Sequence, residues 1–181
     1  MRINFDTCTN VGVLAVCGLL GVSVAFQLAE RFGADVPGGS QTAQLSYREG
    51  ETLPAIDGYS FKDAEATLVL AVRSTCKYCT ESMPFYTRLN DSLKQTGRAT
   101  RLVAVSTDSV DVLKEYFDKH GLAPELLRTV SEKDLKIAGT PTLILADANG
   151  VVKKIWVGLL NAEREAAVIS AVISASKRRT L

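Results

Sequence analysis

The sequence predicts an α/β domain, a mixed central sheet with helices on both faces, preceded by one N-terminal transmembrane helix. Three observations carry that prediction. Short β-branched and aliphatic runs alternate with segments whose apolar residues recur every three or four positions. Two cysteines, Cys76 and Cys79, stand where the first such run gives way to the first helix. Near the N-terminus, Val11 to Leu28 reads VGVLAVCGLLGVSVAFQL, without a single charge.

That segment comes first in the chain. A bilayer-spanning helix needs about 20 mainly apolar residues, and residues 11–29 are just long enough for a transmembrane anchor behind a tail at 1–10. A cleaved signal sequence is the alternative, with Ser23-Val24-Ala25 as its small-x-small site, although such leaders have apolar regions of roughly 7–15 residues. The segment is apolar all round, unlike a core helix with one buried face. Arg2 and the terminal amine, against Asp6, make the preceding tail slightly positive, while Glu30, Arg31 and Asp35 follow with a net charge of −1. The positive-inside rule then places the body on the extracytoplasmic, periplasmic side. Residues 30–50, rich in Gly, Ser, Gln and Thr and without an apolar period, read as a linker to a domain at 51–177.

Within the body, Thr67 to Arg73 forms a strand covered on both faces. The helix after it carries Cys79, Met83, Tyr86, Leu89, Asn90 and Leu93 on one side, with Pro84 inside it and Gly97 as its stop. Arg101 to Thr107 is the second strand. Asp108 or Ser109 caps the next helix, which turns Val112, Leu113, Tyr116 and Phe117 inward and ends at Gly121. Thr142 to Ala146 and Val151 to Val157 flank an Asp-Ala-Asn-Gly turn and form an antiparallel hairpin. Asn161 caps a last helix with Val168, Ile169, Val172 and Ile173 buried. Leu53 to Lys62 is expected to add an edge strand or hairpin.

Composition narrows the function. Of 181 residues, 46% are apolar and 23% charged, with a net charge of +1 and no basic block before Lys177-Arg178-Arg179, so no footprint for nucleic acid exists. A zinc site needs four good ligands. Four cysteines and one histidine, with Cys8 and Cys17 in or beside the anchor, do not assemble one, and no metal is expected.

The pair at 76 and 79 then reads as a redox dithiol. A sulfur at the first turn of a helix lies near unpaired N–H groups and the positive end of the dipole, which favour a thiolate. Such positions lower a cysteine pKa to roughly 3.5–7.5 from about 8.5. Cys76 therefore attacks, and Cys79, one turn further in, resolves. A structural disulfide is a weaker reading, because so short a loop gains little chain entropy. Lys77 adds a screened positive charge. His120, before Gly121, reads as an ordinary helix-terminal residue, and Cys17 as a small membrane-buried hydrophobe.

Cys76-Lys77-Tyr78-Cys79 after a strand, Pro84 five residues on, Gly139-Thr140-Pro141-Thr142 before a later strand, and the hairpin leading to Trp156-Val157-Gly158 together resemble the thioredoxin fold. With the anchor and Met83-Pro84, the chain is most similar to the membrane-tethered thioredoxin-like proteins of the TlpA/ResA type. The resemblance implies that Pro141 is cis and lies against the cysteines, and that the Thr140 backbone pairs with an incoming peptide. Lys77 and Tyr78 then flank the substrate. It also implies thiol–disulfide oxidoreductase activity without a cofactor, on protein thiols and disulfides, fed by a membrane-embedded or soluble thiol–disulfide donor. Reduction of cytochrome c apoproteins or extracytoplasmic redox homeostasis are the settings it implies.

Departures from the pattern matter. Thr75 stands where the family commonly has Trp, and Tyr78 where it commonly has Pro. Ser82 replaces the carboxylate of the cytochrome-maturation members, Glu81 is one position off, and Leu70 occupies the site of thioredoxin's buried acid. Glu132 and Asp134, in the loop before Pro141, are candidates to approach the cysteines. A peroxiredoxin-like peroxidase is the alternative enzyme, but its pattern requires Pro at Val69 and Thr at Arg73. A tethered binding module with a static disulfide is the non-enzymatic alternative.

Overall fold

The computed structural model describes residues 46–95, 99–131, 134 and 136–176, all within one unit, Gln41–Leu181. The expected anchor at 11–29, most of the expected linker, Cys8, Cys17, Gly97, Glu132 and Lys177 to Arg179 lie outside the described residues. No described helix is long and apolar enough to cross a membrane.

Five strands form one mixed sheet: β1 (Ala66–Ala71), β2 (Thr100–Ser106), β3 (Leu126–Thr129), β4 (Thr142–Asp147) and β5 (Val152–Val157). Their order is β3-β2-β1-β4-β5, with β1, β2 and β3 parallel and β4 and β5 antiparallel to their neighbours. The helices are α1 (Lys77–Gln95), which continues through Pro84, α2 (Val110–His120) and α3 (Ala162–Ser176).

Local signals account for the boundaries. Ser109, not Asp108, caps α2 by accepting the Val112 N–H, and Gly121 closes it in the left-handed conformation at φ +70°. The Asn161 side chain accepts the Arg164 N–H at 2.9 Å at the start of α3. In the β4–β5 turn the Asp147 carboxylate accepts the N–H groups of Asn149 and Val151, and Gly150 sits at φ +75°.

β1 places alternate residues on opposite faces. Leu68, Leu70, Leu102, Ala104, Leu143 and Leu145 line one face, where Met83, Tyr86, Phe117, Val168 and Val172 pack from all three helices. Val69, Ala71, Val103, Val105, Ile144 and Ala146 line the other. That face is covered by Tyr47, Leu53 and Ile56, with Tyr59 and Phe61 packed edge to face at 5.5 Å. The expectation of helices on both faces is therefore corrected: among the described residues all three helices share one face. The β1-α1-β2 and β2-α2-β3 crossovers run in the same direction across the sheet. Parallel crossovers are right-handed, so both put their helix on the same side.

Four further expectations change. β3 was not expected; it is a four-residue edge strand, three residues partly buried and Thr129 exposed, with no alternation to mark it. In and beside Leu53 to Lys62 there are two isolated bridges, Thr52 with Val151 and Ile56 with Tyr59, and a 3-10 turn at Phe61–Asp63 instead of a strand. Pro54 has no N–H to give to a ladder. Val112, Ile169 and Ile173, expected inside, are exposed at 45%, 45% and 47%. Each is the sequence neighbour of a buried residue, Leu113, Val168 or Val172, and so points about 100° away from it. Tyr47, within the stretch read as linker, is buried and its hydroxyl donates to the Asp134 carbonyl at 3.1 Å.

Candidate active site

The site sits where β1 ends and α1 begins. Beyond Val72, whose N–H still reaches the Val105 carbonyl, the chain turns through Arg73, Ser74 and Thr75, and the Cys76 N–H closes that turn on the Arg73 carbonyl at 3.1 Å. α1 starts at the next residue, so Cys76 occupies its N-terminal edge. Its sulfur accepts the Cys79 N–H at 3.2 Å, one of the helix donors that have no partner within the helix.

Across the sheet, the 139–142 loop approaches the same sulfur. The Thr140–Pro141 bond is cis. In its thiol form Cys76 donates to the Thr140 carbonyl at 3.3 Å. The loop is tied to its own strand by the buried Thr142 hydroxyl, which donates to the Gly139 carbonyl at 2.6 Å. The Gly158 N–H, past β5, donates to the Pro141 carbonyl at 2.8 Å. Cys76, Cys79, Thr140 and Pro141 are thus brought together from positions far apart in the chain.

The two thiols differ in exposure and in acidity. Cys76 is partly exposed and Cys79 fully buried at 0%. Burial pushes the Cys76 thiol up, but hydrogen bonds with Cys79 and Thr140 and the N–H groups of Cys79 and Tyr78 outweigh it and hold Cys76 below its ordinary value. Burial, reinforced by its hydrogen bond to Cys76, pushes Cys79 up to about 12. The exposed, more acidic sulfur is placed to act as the nucleophile, and the buried one keeps its proton through the neutral range.

Hydroxyl groups lie near the pair. Ser82 is buried and donates to the Tyr78 carbonyl at 2.7 Å. Tyr86 lies beside it, and burial holds its phenol above the ordinary range. The Thr80 and Tyr116 hydroxyls are 3.1 Å apart. Among the described residues, no carboxylate appears among the partners of either thiol. Asp134 faces away, accepting the Ser131 hydroxyl at 2.6 Å and lining a cavity of about 300 Å3 with Tyr47. Lys77 and Tyr78 are exposed beside Cys76, with Lys77 3.7 Å from Glu81. His120 ends α2, its ring 4.9 Å from that of Tyr116.

A groove of about 380 Å3 opens beside the loop, lined among others by Arg73, Ser106, Thr107, Ile137, Gly139 and Thr140. One further residue belongs to the site, Asp108, which the sequence pattern marks only as a helix cap. The Asp108 carboxylate accepts the Ser74 N–H at 2.6 Å. Its spacing before α2 suited a cap equally well, so nothing local pointed to the turn 34 residues away.

Fold and site together define an α/β protein with a free dithiol at a helix N-terminus facing a cis-proline loop. The chain belongs to the thioredoxin-like domain family, whose model matches residues 48–173. No curated protein matches the sequence. Among solved structures it is similar to a candidate protein disulfide isomerase from Bacteroides thetaiotaomicron, with 21% identity over 72% of this chain and 91% of that one and a TM-score of 0.60. A candidate thiol:disulfide interchange protein DsbE from Chlorobium tepidum has 19% identity over 72% of this chain and 99% of that one, at a TM-score of 0.58. A thiol:disulfide interchange protein from Bacteroides sp. has 21% identity over 74% and 95%, at 0.55. At these identities the likeness is one of fold.

Proposed function

We propose that this chain is a thiol–disulfide oxidoreductase that reduces disulfides in exported proteins, held at the outer face of a membrane by its 11–29 segment. The observation that supports the chemistry best is the placement of the Cys76 sulfur. It lies between the Cys79 N–H at 3.2 Å and the Thr140 carbonyl at 3.3 Å, partly exposed, with Cys79 buried behind it. The Cys76 thiolate attacks one sulfur of a substrate disulfide, forming a mixed disulfide and expelling a substrate thiolate that takes up a proton. Cys79 then gives up its proton and attacks the Cys76 sulfur. The second substrate thiolate leaves, and the Cys76–Cys79 disulfide remains. Two electrons and two protons pass to the substrate, so the exchange calls for no cofactor. A second dithiol donor, membrane-embedded or soluble, returns the pair to its reduced state.

In this reading the incoming peptide lies along the Thr140 backbone, with Lys77 and Tyr78 flanking it. The membrane assignment and the TlpA/ResA-like setting rest on the sequence of the anchor and its flanking charges. Ser82, in place of an acid, favours general disulfide reduction over dedicated cytochrome c maturation. Equilibration of the full chain with glutathione buffers tests the function. A Cys76–Cys79 potential at or below about −220 mV marks a reductase, and one near −120 mV an oxidant. A couple that does not exchange at all overturns the enzyme reading in favour of a binding module. Peroxide consumption that survives Cys79→Ser overturns it in favour of a peroxidase.

A further inference from the structure

Cys76 makes its decisive contacts with two different elements, α1 and the 139–142 loop, so its reactivity depends on where the Arg73–Cys76 turn holds it. The β1–β2 ladder ends with the Val72 N–H on the Val105 carbonyl. The next tie between the two strands' extensions is the Ser74 N–H on the Asp108 carboxylate at 2.6 Å. Ser74 is the second residue of the turn, a position whose N–H the turn's own closing bond leaves over. A carboxylate accepting a backbone N–H makes a charge-assisted bond, roughly twice as strong as a neutral one.

Asp108 is itself fixed from two sides. Its N–H donates to the hydroxyl of buried Ser106 at 3.0 Å, at the end of β2. Its carbonyl accepts the Thr129 hydroxyl at 2.9 Å, at the end of β3. Its carboxylate is not occupied in starting α2, because Ser109 caps that helix. The carboxyl ends of three parallel strands are therefore linked through one residue, and the free arm of that link grips the turn two residues before the attacking sulfur.

We propose that Asp108 is a positioning residue for thiol–disulfide exchange, bracing the Arg73–Cys76 turn against the ends of β2 and β3 so that the Cys76 sulfur meets the Cys79 N–H and the Thr140 loop together. The proposal rests on the exchange reading above. It implies that loss of the brace weakens the contacts that stabilise the Cys76 thiolate, and so changes its titration as well as its rate.

The test uses the full chain with oxidised glutathione as probe, and the pH dependence of Cys76 alkylation read on its own peptide by mass spectrometry. Asp108→Ala is expected to slow exchange about tenfold, the loss of one hydrogen bond to a charged group, and to move Cys76 titration up toward that of an ordinary thiol. Asp108→Asn keeps an acceptor and is expected to recover most of that loss. Ser74→Pro removes the donor at a turn position that tolerates proline, and is expected to match Asp108→Ala. It also carries the test if Asp108→Ala does not fold. The two losses should not add when combined. An Ala variant with unchanged rate and Cys76 titration, an Asn variant as impaired as Ala, or additive losses with Ser74→Pro each overturn the brace. A wild-type chain that fails to exchange with glutathione overturns the exchange reading instead, before any variant is compared.

Discussion

Cys76 and Thr140 stand 64 positions apart in the chain and are joined by a 3.3 Å hydrogen bond from thiol to carbonyl. That bond brings a helix start and a strand start to the same point on the surface. The helix side offers N–H donors that favour a thiolate, and the loop side offers backbone at which a peptide can be held. The buried partner Cys79 completes the arrangement from below.

Unequal burial of the two sulfurs predicts unequal phenotypes. Cys76→Ser should abolish turnover, since no nucleophile remains at the surface. Cys79→Ser should still attack but fail to resolve, leaving a mixed disulfide with substrate that survives non-reducing electrophoresis. A Cys79→Ser chain that turns over at the wild-type rate would remove Cys79 from the mechanism.

The two acidities predict distinct pH profiles. Cys76 is held below its ordinary value, so its alkylation should reach its plateau at a lower pH than that of a free cysteine. Cys79 is raised to about 12, so it stays protonated across the neutral range and its thiolate fraction rises with pH toward 12. Resolution of a preformed mixed disulfide should therefore keep accelerating with pH after the attack step has levelled off. Stopped-flow rates of the two steps, measured separately, check this order.

Within the 139–142 loop, the buried Thr142 hydroxyl donates to the Gly139 carbonyl. Thr142→Val keeps the shape and removes the bond to the Gly139 carbonyl. It should cost about 1 kcal/mol in urea unfolding and slow exchange with a protein disulfide. An unchanged unfolding midpoint would show that the hydroxyl contributes nothing net.

Core position decides the cost of truncation. Leu68 is fully buried opposite Leu102 and Leu145, so Leu68→Ala should cost about 2–5 kcal/mol. Ile173, on the outer side of α3, should lose no more than about 0.5 kcal/mol on truncation to Ala. Equal losses at the two positions would restore the wider buried stripe that the sequence pattern implied.

Much of this fold was legible because its signals are local. The runs at β1, β2 and β4, the Ser109 and Asn161 caps, the Asn-Gly turn and the cysteine pair at a strand-to-helix junction each depend on neighbours a few residues away. β3 was not legible, since a short edge strand has neither alternation nor a full set of buried positions. The inner stripes of α2 and α3 were read one residue too wide for the same kind of reason. Periodicity gives the direction of a face, but the neighbouring elements set its width.

The sequence by itself determined that a dithiol would stand at the start of a helix behind a buried strand, and that proline would precede a later strand in the same domain. Spacing along one chain suffices for that. Only the tertiary structure decided that all three described helices share one face, that Asp134 points away from the thiols, and that Asp108 reaches the turn before Cys76. Those outcomes depend on crossover handedness and on which strand ends meet, and such long-range pairings leave no mark in the order of neighbouring residues.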